Sequence, residues 1–120
     1  MKLTAMSMDA LVRRFEELCL KQYDADLSFD MPRYNRAFDA MMAVSNELRS
    51  RPGDQRRSLV SLYDHPNEQV RLKAAIHTLA LFPDDARAVM QKLIDDRIHP
   101  QAMDAGMLLD SLDAGRYVPE

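Results

Sequence analysis

Six arginines, Arg33, Arg36, Arg49, Arg51, Arg56 and Arg57, stand between residues 33 and 57, against three acids in the same stretch. A guanidinium is a planar fork that meets carboxylate or phosphate oxygens two at a time, so this group suits an acidic protein segment or a nucleic-acid backbone. A second reading stays open beside that one. Arg36 and Arg56 are placed to tie neighbouring helices through Asp39 and Asp54, which would make the group a locally paired, solvated face. The opposite charge gathers further along, with eight acids against four bases from residue 84 to the end. The net charge of −3 thus conceals a positive and a negative region. That balance disfavours a dedicated nucleic-acid or anionic-membrane protein.

The other residues with reactive groups point to structure. His65, His77 and His99 show no His-x-x-x-His zinc spacing and have no cysteine nearby in sequence. The acidic pairs Glu16-Glu17, Asp84-Asp85 and Asp95-Asp96 are adjacent, and on a helix adjacent side chains diverge by about 100°, away from any shared substrate. Cys19 is the one cysteine, so no internal disulfide forms, and its place on an apolar helix face makes it a packing residue. Glycine-rich phosphate loops and nucleophile elbows are missing. The expectation is a protein that is not an enzyme and takes no cofactor or metal.

Helices must position these groups. At 120 residues, 47% hydrophobic with only three glycines, the chain has the profile of a globular domain, and its methionines, alanines and leucines favour helix. Ser7 caps a first helix over about 8–24, with Leu11, Val12, Phe15, Leu18 and Cys19 on one face. After a connector at Asp26–Pro32, a second helix presents Tyr34, Ala37, Phe38, Met41, Met42, Ser45 and Leu48 and stops at Pro52-Gly53. A short third helix capped by Asp54 turns Leu59, Leu62 and Tyr63 inward. Pro66 opens a fourth, with Val70, Ala74, Ala75, Thr78, Leu79 and Phe82 inward, and Pro83 closes it. Asp84 or Asp85 caps a fifth, with Ala86, Val89, Met90, Leu93 and Ile94 inward. The sixth has Met103, Met107, Leu108 and Leu112 inward and ends at Gly115. No alternating β-branched run predicts a strand. The first thirty residues lack an apolar signal core, and no run reaches the roughly 18 apolar residues that cross a bilayer. The expected location is the cytoplasm, away from membranes.

One phrase occurs twice. His65-Pro66-Asn67-Glu68-Gln69-Val70-Arg71-Leu72-Lys73-Ala74-Ala75 is followed 34 residues later by the fainter His99-Pro100-Gln101-Ala102-Met103-Asp104-Ala105. The offset falls within the roughly 20–50-residue periods of stacked repeats. The clearer copy resembles the second helix of a HEAT repeat, with its polar cap, Val-Arg pair and small-residue pair. Residues 54–82 look like one such repeat, 84–113 like a degenerate one, and 1–52 like an atypical helix pair, within a single domain of 1–120. The resemblance implies an all-α, right-handed stack of about three antiparallel helix pairs. It also implies a bond between Arg71 and its aligned counterpart Asp104, with His65, Pro66, His99 and Pro100 as matching helix starts.

Glu47-Leu48-Arg49-Ser50-Arg51-Pro52-Gly53-Asp54-Gln55-Arg56, together with the two His-Pro segments, resembles a small bacterial family described only as a domain of unknown function, number two-zero-one-nine. That likeness implies the fold and a bacterial source, and no activity. The leading expectation is a non-enzymatic protein-binding module, in its concrete form a toxin-neutralising or sequestering protein whose acidic half at 84–113 occludes a basic surface. The candidate partner-binding residues are Arg33, Arg36, Arg49, Arg51, Arg56 and Arg57. Nucleic-acid backbone binding through those arginines and a role as a structural assembly factor are the alternatives, and the oligomeric state stays open.

Overall fold

The computed structural model describes residues 2–120. It is all-helical, with five α-helices: α1 (Met8–Leu27), α2 (Met31–Ser50), α3 (Glu68–Thr78), α4 (Pro83–Asp95) and α5 (Gln101–Asp113). A 3-10 turn at Leu3–Ala5 precedes them, and a 3-10 helix, Gln55–Leu62, joins α2 to α3. No strand occurs among the described residues. The chain forms two compact units, one ending at Leu59 and the other beginning at Val60. That boundary falls within residues 54–82.

In the first unit, two twenty-residue helices are joined by only three residues, which makes them antiparallel neighbours. Ser7 caps α1 as its sequence predicts, accepting the N–H of Ala10 at 3.1 Å. The α1 face carries Leu11, Phe15, Leu18 and Cys19 into the interior, and Val12 is only half-buried. The α2 stripe is rotated from the expected one. Ala37, Met41, Val44, Ser45 and Leu48 are buried, while Phe38 and Met42 stay exposed. Spacings of three and four from Ala37 define the inward line, and Phe38 and Met42 each lie one residue past it.

The Asp54-capped segment is 3-10 and not α. Its buried residues, Arg56, Leu59 and Leu62, recur every three positions, and side chains at i and i+3 align along a helix of 3.0 residues per turn. The second unit packs α3 to α5 around Leu72, Ala75, Leu79, Ala86, Met90, Leu93, Ala105 and Leu109. Four of these eight are alanine or methionine, small or pliable enough to let short helices approach closely.

Helix starts and stops depart from expectation at named places. Pro66 lies outside α3, and Asn67 is its cap, with Oδ1 accepting from the N–H groups of Gln69 (2.8 Å) and Val70 (3.3 Å). Pro83 is the first residue of α4 after Phe82, so Asp84 and Asp85 occupy its first turn and do not cap it. There their charges complement the positive end of the helix dipole. In α5 the inward line is Ala102, Ala105 and Leu109, and the expected Met103 and Met107 are more than half exposed.

Three helices end with the same pair of bonds. After α1, Phe29 and Asp30 donate to Asp26 and Ala25, after α4, Arg97 and Ile98 donate to Ile94 and Leu93, and after α5, Gly115 and Arg116 donate to Leu112 and Ser111. In each, the first donor has a positive φ, +57° at Phe29, +56° at Arg97 and +74° at Gly115. This is the Schellman stop, which favours glycine because a Cβ crowds the left-handed backbone.

Candidate partner-binding surfaces

The arginine group divides into structural and solvent-facing members. Arg51, just past the end of α2, donates from Nε to Glu47 (2.9 Å) and from Nη2 to the carbonyl oxygens of Leu3 (3.1 Å) and Met6 (2.8 Å). It is a clamp on the N-terminal segment. Arg56 is buried and grips Asp54 through Nε (2.9 Å) and Nη2 (2.7 Å). These hydrogen bonds, with the Arg56 charge, hold the Asp54 carboxyl below the usual carboxylate range against the effect of burial. Arg57 donates to the Gly53 carbonyl at 3.0 Å, and Arg33 approaches Asp30 at 4.0 Å. Arg36 and Arg49 stay exposed. The six arginines therefore do not form one free cationic patch. The expected Arg56–Asp54 tie is present, within the loop and not between helices.

The paired His-Pro phrase builds helix starts in two different ways. His65 Nδ1 accepts the Asn67 N–H at 3.0 Å, shaping the turn ahead of α3, whereas His99 is exposed and the His99–Pro100 peptide bond is cis. Pro100 takes the cap position of α5 with no side-chain bond. Arg71, expected to reach Asp104, donates instead to the carbonyl oxygen of His65 at 3.2 Å. The buried link between the two phrases is an amide pair the sequence did not single out. Gln101 Nε2 donates to Gln69 Oε1 at 2.9 Å, with both side chains buried.

The second unit contains a cleft of about 570 Å³, bounded by the end of the 3-10 helix, α3 and α4. That volume lies in the range of small-ligand and side-chain pockets. Its apolar lining is Val60, Ala88, Val89 and Leu93. Asp85, Val89, Lys92, Leu93 and Asp96 recur at spacings of three and four, so one edge of α4 runs along it with carboxylates at both ends. Lys92 is closed by Asp96 at 3.0 Å. Asp64 and Asp85 are exposed and in no ion pair among the described residues.

Tyr63 also lines the cleft, its hydroxyl bonded to Thr78 Oγ1. Either oxygen of that bond can act as donor, and the Thr78 hydroxyl also lies 2.8 Å from the Ala74 carbonyl. Burial, and then the negative charge of Asp85, push the Tyr63 phenol above its usual value against the Thr78 bond. Sequence reading missed the cleft because it treated Asp64 and Asp85 as helix punctuation. The signal was present on α4, where an apolar run is flanked by acids on one face.

Among the described residues no three His, Cys, Asp or Glu side chains gather as metal ligands, and no helix is long and apolar enough to cross a membrane. No curated protein matches the chain. The crystal structure of the protein RPA1889 from Rhodopseudomonas palustris CGA009 is similar at TM-score 0.97 and 42% identity, covering 100% of this chain and 99% of that one. The fold is thus similar to one seen in an experimental structure. The family described as Domain of unknown function (DUF2019) matches residues 9–113, nearly the whole helical region just described, and the chain belongs to that family.

Proposed function

We propose that the protein is a non-enzymatic, cytoplasmic protein-binding module of HEAT-like character, which presents the acidic surface of its second unit to a basic partner. A toxin-neutralising or sequestering role is its concrete form. The observation that carries this reading is the contrast in availability of charge. Arg51 and Arg56 are engaged within the first unit, whereas Asp64, Asp84, Asp85 and Asp110 are exposed and outside any ion pair among the described residues. Exposed like charges steer an oppositely charged partner and suppress wrong ones, and they act mostly on association rate. The half-apolar cleft beside Asp85 adds desolvated contact area, which charge alone does not supply.

Affinity capture from source-cell lysate tests the reading with three forms of the chain: wild type, Asp84→Lys/Asp110→Lys and Arg36→Glu/Arg49→Glu. The expected result is a basic protein held by wild type and the arginine variant and lost by the aspartate variant. Capture of no specific protein overturns the reading. Loss confined to the arginine variant returns the site to the first unit, and recovery of nucleic acid there, weakening steeply with salt, restores the backbone-binding alternative.

A further inference from the structure

We propose that the cleft of the second unit is a socket for one arginine or lysine side chain of a partner protein, its stem on Val60, Val89 and Leu93 and its charged head at Asp64 and Asp85. The proposal deepens the protein-binding reading by naming what the partner inserts, and it rests on that reading.

Charge within the cleft decides the sign of the ligand. Two cations and three carboxylates line it. Lys92 and Asp96 neutralise one another at 3.0 Å. Arg71 donates to the His65 carbonyl at 3.2 Å and is half-buried, so it stands as a fixed charge at one wall. Asp64 and Asp85 remain without ion pairs among the described residues, which leaves an excess of one negative charge. A free anion would meet a net negative lining, and a wholly apolar group would cover carboxylates without giving them a partner, at the cost that attends any buried unpaired charge. A long cationic side chain satisfies both parts of the lining, because lysine and arginine lay an apolar stem on hydrocarbon while the head reaches polar groups.

The shape is consistent with that occupant. Along α4, Asp85 and Leu93 are eight residues apart, about 12 Å of helix at 1.5 Å per residue, so the carboxylate stands at the end of an apolar track and not in its middle. From residue 84 onward the chain carries eight acids to four bases. A polypeptide donor gains from that wider field, whereas a small free amine uses only the socket.

The test is a titration of the full chain followed by amide chemical shifts, with three probes: acetyl-Leu-Arg-Leu-amide, acetyl-Leu-Glu-Leu-amide and spermidine. The arginine peptide is expected to shift Tyr63, Val89 and Lys92, and Asp64→Asn/Asp85→Asn to weaken it about tenfold, the loss expected for charge-assisted hydrogen bonds. Equal or tighter binding of the glutamate peptide overturns the proposal. Spermidine binding without the arginine peptide also overturns it, by making the socket a site for free amines, and no shift with any probe does the same. A second arm separates this failure from that of the wider reading. Val60→Arg sets a guanidinium at the cleft and is expected to abolish peptide shifts while far-ultraviolet circular dichroism stays unchanged. A lysate partner that survives Val60→Arg yet is lost by Asp84→Lys/Asp110→Lys overturns the socket and leaves the protein-binding module standing.

Discussion

The two units hold their charges differently. In the first, two of the arginines that stand out in sequence are tied into the fold. Arg51 holds two backbone carbonyls and Glu47, and Arg56 grips Asp54. In the second, Asp64, Asp85 and Asp96 line a cleft, and the first two are exposed and in no ion pair among the described residues. Two members of the cationic run, Arg51 and Arg56, are thus scaffold, while Asp64, Asp84, Asp85 and Asp110 are exposed and outside any ion pair among the described residues. Charge density along a chain reports how many groups there are, and the hydrogen bonds decide how many are free to meet a partner.

The sharpest way to break the comparison is to show that the first unit depends on something other than its packing and its ties. Phe15 is fully buried, so Phe15→Ala is expected to cost about 3–5 kcal/mol in denaturant unfolding. Arg51→Ala should follow at about 2 kcal/mol, since it strands Glu47 and two carbonyls. Arg51→Lys should recover only part of that loss, because an ammonium cannot copy the fork. A negligible cost for Arg51→Ala would return that residue to the partner-binding set.

Asp54→Ala should cost about 1–2 kcal/mol by leaving the buried Arg56 without its carboxylate and placing an alanine at φ +50°. Its pH dependence has a definite sign. The folded Asp54 carboxyl titrates below its ordinary 3.8, so its stabilisation is present above 3.8 and is lost as pH falls through the lowered folded value. Melting temperatures of wild type and Asp54→Asn should therefore converge in that acid window.

Two smaller effects sharpen the contrast. Phe29→Gly should stabilise by about 0.7 kcal/mol, with Arg97→Gly similar, because both helix stops force a side chain into left-handed backbone. Asp84→Asn/Asp85→Asn should cost only about 0.5 kcal/mol, the worth of the α4 helix dipole, checked by thermal melts at low and high salt. A much larger loss there would mean that these acids are structural too.

Legibility in the sequence followed the range of the interaction. The Ser7 cap, the α1 face and the Gly115 stop are local, and each was readable from spacing and side-chain type. The α2 and α5 stripes were displaced because clusters of methionine and phenylalanine wider than one helix face leave several inward directions open, and packing against neighbours selects one. Asp54–Arg56 was legible as a pair, but not its geometry, which depends on a positive φ in the loop. The cleft was illegible for a further reason. Val60, Arg71 and Asp85 come from separate elements, and no periodicity in one of them reports the other two.

The Gln69–Gln101 bond carries a consequence for descent. A buried amide pair is stable as two amides or as two hydrocarbons of similar size, and costly halfway between, because one change alone strands a polar group in the core. Lineages of this family should therefore pass through the mixed state rarely, so that positions 69 and 101, thirty-two residues apart in the chain, change together or not at all.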